Sequence, residues 1–269
     1  MASIAVSIST PEALLDRAAS EPAVCPPNVF VIPAYNEEQN LPRLIGDLES
    51  RPSLFPAGSR VFIVDDGSED GTANVVSSYD GDLPLELVRL DHNQGPGAAF
   101  RAGFAAALKD CPHEARIITL EADTTSDLDA LPRMLERAAT GAELVLAAWV
   151  MRNVSYVRRV LSEGAGLFAR RALGLEAKTV SSFFRVYHAS VLREGFRQYG
   201  DELIQEQGFA CKAEILAKLT RLGARVAEVP VDLDTSRRIG KSKMPVLRTI
   251  LAYWRMAVRE RVARSSAEA

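Results

Sequence analysis

Two acids one residue apart, Glu121 and Asp123, follow the apolar run Ile117-Ile118-Thr119-Leu120. Acids so spaced at a strand end can hold a divalent cation, and that cation could bridge the phosphates of a leaving nucleoside diphosphate. A helix-capping turn describes the same residues, because Ser126 and Asp127 lie just downstream. A longer acidic string, Asp65-Asp66-Gly67-Ser68-Glu69-Asp70-Gly71-Thr72, follows Val61-Phe62-Ile63-Val64. Its carboxylates can accept from a nucleobase N–H and from ribose hydroxyls, and its glycines let the chain turn tightly; the alternative is a plain acidic turn. Pro33-Ala34-Tyr35-Asn36-Glu37-Glu38 offers a ring for stacking and groups for hydrogen bonding, or opens a helix whose dipole favours Asn and Glu. Asn93-Gln94-Gly95-Pro96-Gly97-Ala98-Ala99 permits close backbone approach to a ligand, or only close helix–sheet packing. Arg237-Arg238-Ile239-Gly240-Lys241-Ser242-Lys243 carries four cations in seven residues, suited to gripping phosphate or to forming a solvated loop.

The elements that must carry these groups alternate regularly from Asn28. Apolar four-residue runs at 29–32, 61–64 and 117–120, with 85–90 and 144–149, read as strands. Helical spacing at 41, 44, 45 and 48, and over 72–79, 97–109 and 128–139, reads as the helices between them. Such alternation predicts an α/β fold with a mostly parallel sheet covered by helices on both faces. Ligands bind such sheets beyond the carboxyl ends of the strands, where the polar strings fall. After about residue 150 the pattern loosens to a helix over 158–173, a strand over 182–187, a helix over 211–221 and a strand over 225–231. A long basic helix runs from 245 to 264, and a short helix over 11–19 belongs to an Ala-, Ser- and Pro-rich leading segment.

The chain has 269 residues and a net charge of −3, which argues against a bulk electrostatic nucleic-acid binder. Cys25, Cys111 and Cys211 are too far apart for a zinc knuckle and suggest a reducing compartment. No apolar run reaches the length of a membrane span, and a secretory signal is not expected at the N-terminus. The expectation is a cytoplasmic protein whose membrane contact, where there is any, is peripheral at the cytoplasmic face.

Taken in order, PAYNEE, DDGSEDGT, NQGPGAA, EAD and RRIGKSK resemble the family 2 glycosyltransferases, and within them the polyprenyl-phosphate enzymes of the dolichol-phosphate mannose synthase type. The resemblance spans roughly residues 28–245 and includes Glu228-Val229-Pro230-Val231. It implies a GT-A fold, a Rossmann-like nucleotide-diphospho-sugar transferase fold. It implies a nucleotide-sugar donor (GDP-mannose favoured, UDP-glucose possible), a Mg²⁺ or Mn²⁺ ion, and a polyprenyl phosphate acceptor, with inversion at the transferred hexose. By the same resemblance Pro33, Tyr35 and Glu37 line the nucleotide pocket, with Val64 and Asp66 at the base and ribose. Asp123 is the principal metal ligand, flanked by Glu121 and Ala122, with Thr125 as a further ligand. Arg237 and Lys243 hold phosphate, Arg185 stands at an acceptor-side arginine, and Glu214 occupies a family acidic position. Catalytic roles fall to Asp123, Arg185, Arg237 and Lys243. The departures are Glu121 for Asp, Thr125 for Gln, Phe183 for Gly, Thr179 for Asp, and Ala147-Ala148-Trp149 for Gly-Ser-Arg, with Arg152 as a substitute for the missing arginine. Transfer to a soluble phosphorylated metabolite or glycan, and a binding-only relative without turnover, stay open as alternatives.

The expected layout is a leading extension over 1–27, the transferase domain over 28–244, and a basic amphipathic helix and tail over 245–269. From Arg237 to Arg264 there are nine Arg or Lys and one acid, Glu260, and Leu247, Ile250, Leu251, Trp254 and Val258 share a helical face. That pattern fits a helix lying on an anionic membrane or a terminal helix packed on the domain. The first would bind anionic liposomes until the last 25 or so residues were removed.

Overall fold

The computed structural model describes residues 25–151, 164, 167–168, 170–171, 173–177, 179–180, 182–233, 237–240 and 246–267. The leading helix and Arg152, Ser181, Lys241, Ser242 and Lys243 lie outside the described residues, as does most of the helix expected over 158–173.

Seven strands form one sheet in the order β3-β2-β1-β4-β6-β5-β7. They are β1 (Asn28–Ala34), β2 (Arg60–Asp65), β3 (Leu85–Arg89), β4 (Arg116–Thr119), β5 (Leu144–Met151), β6 (Arg185–His188) and β7 (Val226–Leu233). Strands β3, β2, β1 and β4 are parallel neighbours, β6 runs antiparallel to β4 and β5, and β7 returns parallel to β5. The apolar runs alternate between two cores. Val29 and Val31 join Phe62 and Val64 on one face, while Phe30 and Ile32 join Val61 and Ile63 on the other. Burial on both faces is why these runs lack the polar alternation of a half-exposed strand.

Helices α1 (Leu41–Glu49), α2 (Thr72–Ser77) and α4 (Leu131–Ala139) cover the second face. Helices α3 (Pro96–Asp110), α5 (Ala189–Tyr199), α6 (Cys211–Arg221) and α7 (Val246–Ala267) cover the first. In α1 the apolar positions Leu41, Leu44, Ile45 and Leu48 are all buried, each stabilising the fold by roughly 1.5–3 kcal/mol before entropy is counted. The two-faced α/β arrangement expected from the sequence is therefore present.

Three details depart from the sequence pattern for local reasons. Strand β1 continues through Pro33, because pairing to β4 stops at Val31 and, among the described residues, the rest of β1 pairs with β2 alone, where proline is tolerated. The strand expected from Ser182 begins only at Arg185, since the preceding donors are diverted to side chains: Phe183 N to Glu121 Oε1 at 3.2 Å and Phe184 N to Ser182 Oγ at 3.0 Å. Helix α5 was hidden by Gly195 in its centre, where a Cβ would stand 2.7 Å from Leu219 Cδ2 of α6.

Candidate functional site

Because β2, β1 and β4 are adjacent and parallel, the strings that follow them emerge along one carboxyl edge. Side chains and backbone lace the first two together. Asn36 N donates to Ser68 Oγ (2.9 Å), Glu69 N to Asn36 Oδ1 (3.0 Å), Glu37 N to Thr72 Oγ1 (2.8 Å) and Gly71 N to Glu38 Oε2 (3.0 Å). Gly67 has φ +64°, and a Cβ there would stand 2.4 Å from the His92 backbone, so the second string also packs on the turn after β3. Only glycine meets both demands.

Asp66 is buried, and its two oxygens accept from Gln94 N and Gly95 N, each at 2.8 Å. Burial raises its carboxyl above the ordinary value, and the two backbone N–H groups pull against that rise. Each oxygen keeps a further lone pair for a base or ribose donor. Pro33, Tyr35 and Glu37 stand half-buried at the same edge. Val64 does not: it is fully buried, and its Cγ2 lies 2.8 Å from where a Gly103 Cβ would sit, so its side chain packs against α3.

The turn bearing Asp66's donors rests on a second loop. Gly97 N donates to Gln207 O at 2.8 Å, and a Gly97 Cβ would lie 2.0 Å from Glu206 O. Gly97→Ala therefore forces two backbones apart at the start of α3. The expected loss is about 2–4 kcal/mol, together with weaker nucleotide binding, measured by urea unfolding and by calorimetric titration with UDP or GDP.

After β4, Asp123 is set by its own turn. Thr125 donates to Asp123 Oδ1 through N (3.1 Å) and Oγ1 (2.6 Å). Between them Thr124 has φ +63°, a left-handed conformation that costs a β-branched residue roughly 1–2 kcal/mol. Glu121, expected as a flanking metal ligand, is committed elsewhere. Part of the residue remains accessible, but its carboxylate is enclosed, accepting from Ser126 Oγ and from Phe183 N. Burial, and then the nearby Asp123, push its carboxyl upward. Ala122 lies in the core, and Thr125 orients Asp123. Among the described residues no three His, Cys, Asp or Glu side chains gather as a cage. Asp123 alone still fits a Mg²⁺-type ion, which needs only one or two carboxylates beside phosphate oxygens and water.

The basic segment reaches this edge with a different arginine from the one expected. Arg238 Nε donates to Asp123 Oδ2 at 2.6 Å, whereas Arg237 pairs with Asp47 of α1. Arg185, expected on the acceptor side, is buried. It donates to the carbonyls of Ser182 (2.9 Å), Lys212 (2.8 Å) and Val180 (3.1 Å) and to the Tyr187 hydroxyl (3.3 Å). Those bonds tie it to the backbone at Val180 and Ser182 and to α6 at Lys212, and its side chain lines a small cavity with Phe100, Thr119, Phe183, Tyr187 and Lys212. Beside it the Lys212 ammonium sits 3.9 Å above the Phe183 ring, and burial brings it down to about 8.

Sequence reasoning bypassed Lys212, named Arg238 only as one cation of the basic string, and did not foresee what Glu214 does. That carboxylate accepts from Gln205 N and Glu206 N (both 2.8 Å), from Lys218 Nζ (2.8 Å) and from Arg259 Nη2 of α7 (2.9 Å). The Glu214–Lys218 spacing of four on a helix was the available signal.

The profile of glycosyl transferase family 2 matches residues 29–196. The undecaprenyl-phosphate mannosyltransferase of Micrococcus luteus is 30% identical over 220 residues, covering 80% of this chain and 86% of the relative. The polyprenol monophosphomannose synthase of Mycolicibacterium smegmatis is 28% identical over 249 residues, 88% and 89% of the two chains. The Mycobacterium tuberculosis glucosyl-3-phosphoglycerate synthase, crystallised with Mn²⁺, UDP and glucosyl-3-phosphoglycerate, aligns over 95% of this chain and 86% of its own with a TM-score of 0.61 at 17% identity. At that identity the likeness concerns the fold, which is the GT-A fold.

Proposed function

The chain belongs to glycosyl transferase family 2 and is an enzyme that transfers a sugar; from that premise we propose that it moves a hexose, mannose favoured, from a nucleotide-diphosphate sugar to a polyprenyl phosphate. The observation that carries this reading is the gathering of Asp66, Asp123 and the Arg238 guanidinium along one carboxyl edge of the sheet. The polyprenyl-phosphate names of the Micrococcus and Mycolicibacterium relatives, which match 80% and 88% of this chain, support the acceptor. Residues 28–244 form the transferase domain in this reading, and 245–269 the helix and tail that follow it.

An acceptor phosphate oxygen attacks the anomeric carbon as the bond to the diphosphate breaks, and the electron pair leaves with the nucleoside diphosphate. Attack opposite the leaving group inverts the centre. A phosphate oxygen is anionic at neutral pH, so the protein supplies position and charge more than a base. Asp66 and the edge formed by Pro33, Tyr35 and Glu37 hold the nucleoside. Asp123 would hold a Mg²⁺ or Mn²⁺ ion, which when bound neutralises charge developing on the leaving diphosphate. Arg238 stands beside it. A screen of radiolabelled GDP-mannose, UDP-glucose and related donors, with and without polyprenyl phosphate, tests the reading by counting label that enters organic solvent. Label transferred only to water-soluble acceptors would sink the lipid part.

A lipid acceptor requires the enzyme to reach a membrane, and no described helix is long and apolar enough to cross one. Helix α7 divides its faces. Thr249, Ala252, Tyr253 and Met256 are buried, whereas Leu251, Trp254 and Val258 are 59%, 57% and 42% exposed beside exposed Arg248 and Arg255. Exposed apolar residues with a basic rim suit the headgroup region of an anionic bilayer. Removing the last 25 residues would also strip Tyr253 and Met256 from the core, so the cleaner variant is Leu251→Glu with Trp254→Glu. It should lose sedimentation with phosphatidylglycerol vesicles while stability changes by less than about 1 kcal/mol. Vesicle binding equal to that of the parent protein would rule out α7 as the contact.

A further inference from the structure

We propose that Arg238 is the built-in counter-cation of Asp123, so that entry of a divalent cation and release of the Arg238 guanidinium are one event. The inference rests on the reading above that Asp123 receives the cation. Asp123 Oδ1 is occupied by the Thr125 amide and hydroxyl, which leaves Oδ2 as the oxygen turned to an incoming ion. Arg238 occupies that oxygen with Nε at 2.6 Å, and its Nη2 pairs with the same atom. The pair is largely covered, with side chains 19% and 14% exposed, so solvent screens it weakly. A guanidinium and a dication cannot share one carboxylate oxygen at contact distance without strong like-charge repulsion.

The segment that delivers Arg238 is anchored independently of Asp123. Ile239 N donates to Asn40 Oδ1 (3.0 Å), and Asn40 Nδ2 returns to Ile239 O (3.1 Å). The Arg237 carbonyl accepts from Arg43 Nη1 (2.9 Å) and from the hydroxyl of the strained Thr124 (3.0 Å), while the Arg237 side chain is fixed on Asp47. These anchors keep the backbone of 237–240 against α1 and the Asp123 turn. When a cation displaces the guanidinium, only the Arg238 side chain has to swing, and it stays within reach of a diphosphate on that cation. Arg238 thus sets how tightly the protein without donor holds a cation.

Mn²⁺ titration of the full chain without nucleotide, followed by loss of the free-ion electron paramagnetic resonance signal, tests this directly. Arg238→Gln should bind Mn²⁺ about tenfold more tightly than the parent, Arg238→Lys should stay near the parent, and Asp123→Asn should bind at least about tenfold more weakly. If Arg238→Gln binds no more tightly while Asp123→Asn loses affinity, the counter-cation idea fails and the cation site stands. If Asp123→Asn binds as well as the parent, both fail. A check needing no charge-removing variant follows the Arg238 Nε–H resonance during Mg²⁺ addition, assigned by its absence in Arg238→Lys. It should move to a solvent-exchanging position as the ion binds, and an unmoved, protected resonance at saturation would overturn the proposal.

Discussion

Asp123→Asn is expected to lower kcat by at least about 10²–10³-fold at saturating Mg²⁺, the scale of losing a group that stabilises charge in the transition state. The substitution keeps the size of the side chain. The Thr125 amide and hydroxyl can still donate to the amide oxygen, so the turn over 121–126 stays in place. What disappears is the negative charge, and with it the hold on a cation and on Arg238. The Arg238 guanidinium is covered while paired but can swing out to water once the carboxylate charge is gone, so the loss of stability should be modest, about 1 kcal/mol. A large fall in turnover with a nearly unchanged melting temperature is the signature of a reacting-centre role. Full activity of Asp123→Asn, or full activity of the parent in a metal-chelated assay, would remove Asp123 from the centre of the site.

Much of this site could be read from the sequence because parallel strands buried on both faces have a plain signature. Val29–Ile32 and Val61–Val64 are continuous apolar runs and Ile117–Leu120 is one broken only by Thr119, and once they are parallel neighbours their trailing polar strings must share an edge. Residue types at strand ends therefore placed the acidic strings on that edge, and the family resemblance singled out Asp66 and Asp123 within them. Which atoms they face was not legible, because that depends on a few tenths of a turn. Arg237 and Arg238 are adjacent and alike, yet one lies on Asp47 and the other on Asp123, decided by the Asn40–Ile239 hydrogen bonds and the Thr124 turn. Glu121 and Asp123 likewise have different partners across one alanine, Ser126 and Phe183 for the first and Thr125 and Arg238 for the second, so the two acids are not presented as equivalent ligands. Arg185 was singled out by the family resemblance, and the sequence did not show that the carbonyls of Val180, Ser182 and Lys212 and the Tyr187 hydroxyl hold its guanidinium in the core.

Glu214→Ala is expected to cost about 3–5 kcal/mol of stability. The carboxylate is 1% exposed, and four donors converge on it from three parts of the chain: Lys218 on its own helix, Arg259 on α7, and the amides of Gln205 and Glu206. Truncation leaves the Lys218 ammonium, 6% exposed, without its anion, and two amides without an acceptor. For a chain of this size the melting temperature should fall by roughly 6–20 °C. The damage should also travel to the nucleotide edge through direct contacts. The freed loop is the one whose Gln207 carbonyl holds Gly97 N, and Gly97 opens the helix that follows Asp66's donors at Gln94 and Gly95. Glu214→Gln keeps an acceptor for the two amides but not the charge, so it should retain more of the nucleotide affinity than of the stability. Glu214→Ala combined with Lys218→Met should recover part of the unfolding free energy, because the stranded ammonium is gone, while nucleotide affinity stays low because the amides are still unpaired. Urea unfolding and titration with UDP or GDP, run on the same three proteins, separate the two effects. A Glu214→Ala protein within about 1 kcal/mol of the parent would mean that the buried ion pairs contribute nothing to holding α6, α7 and the 205–207 loop together.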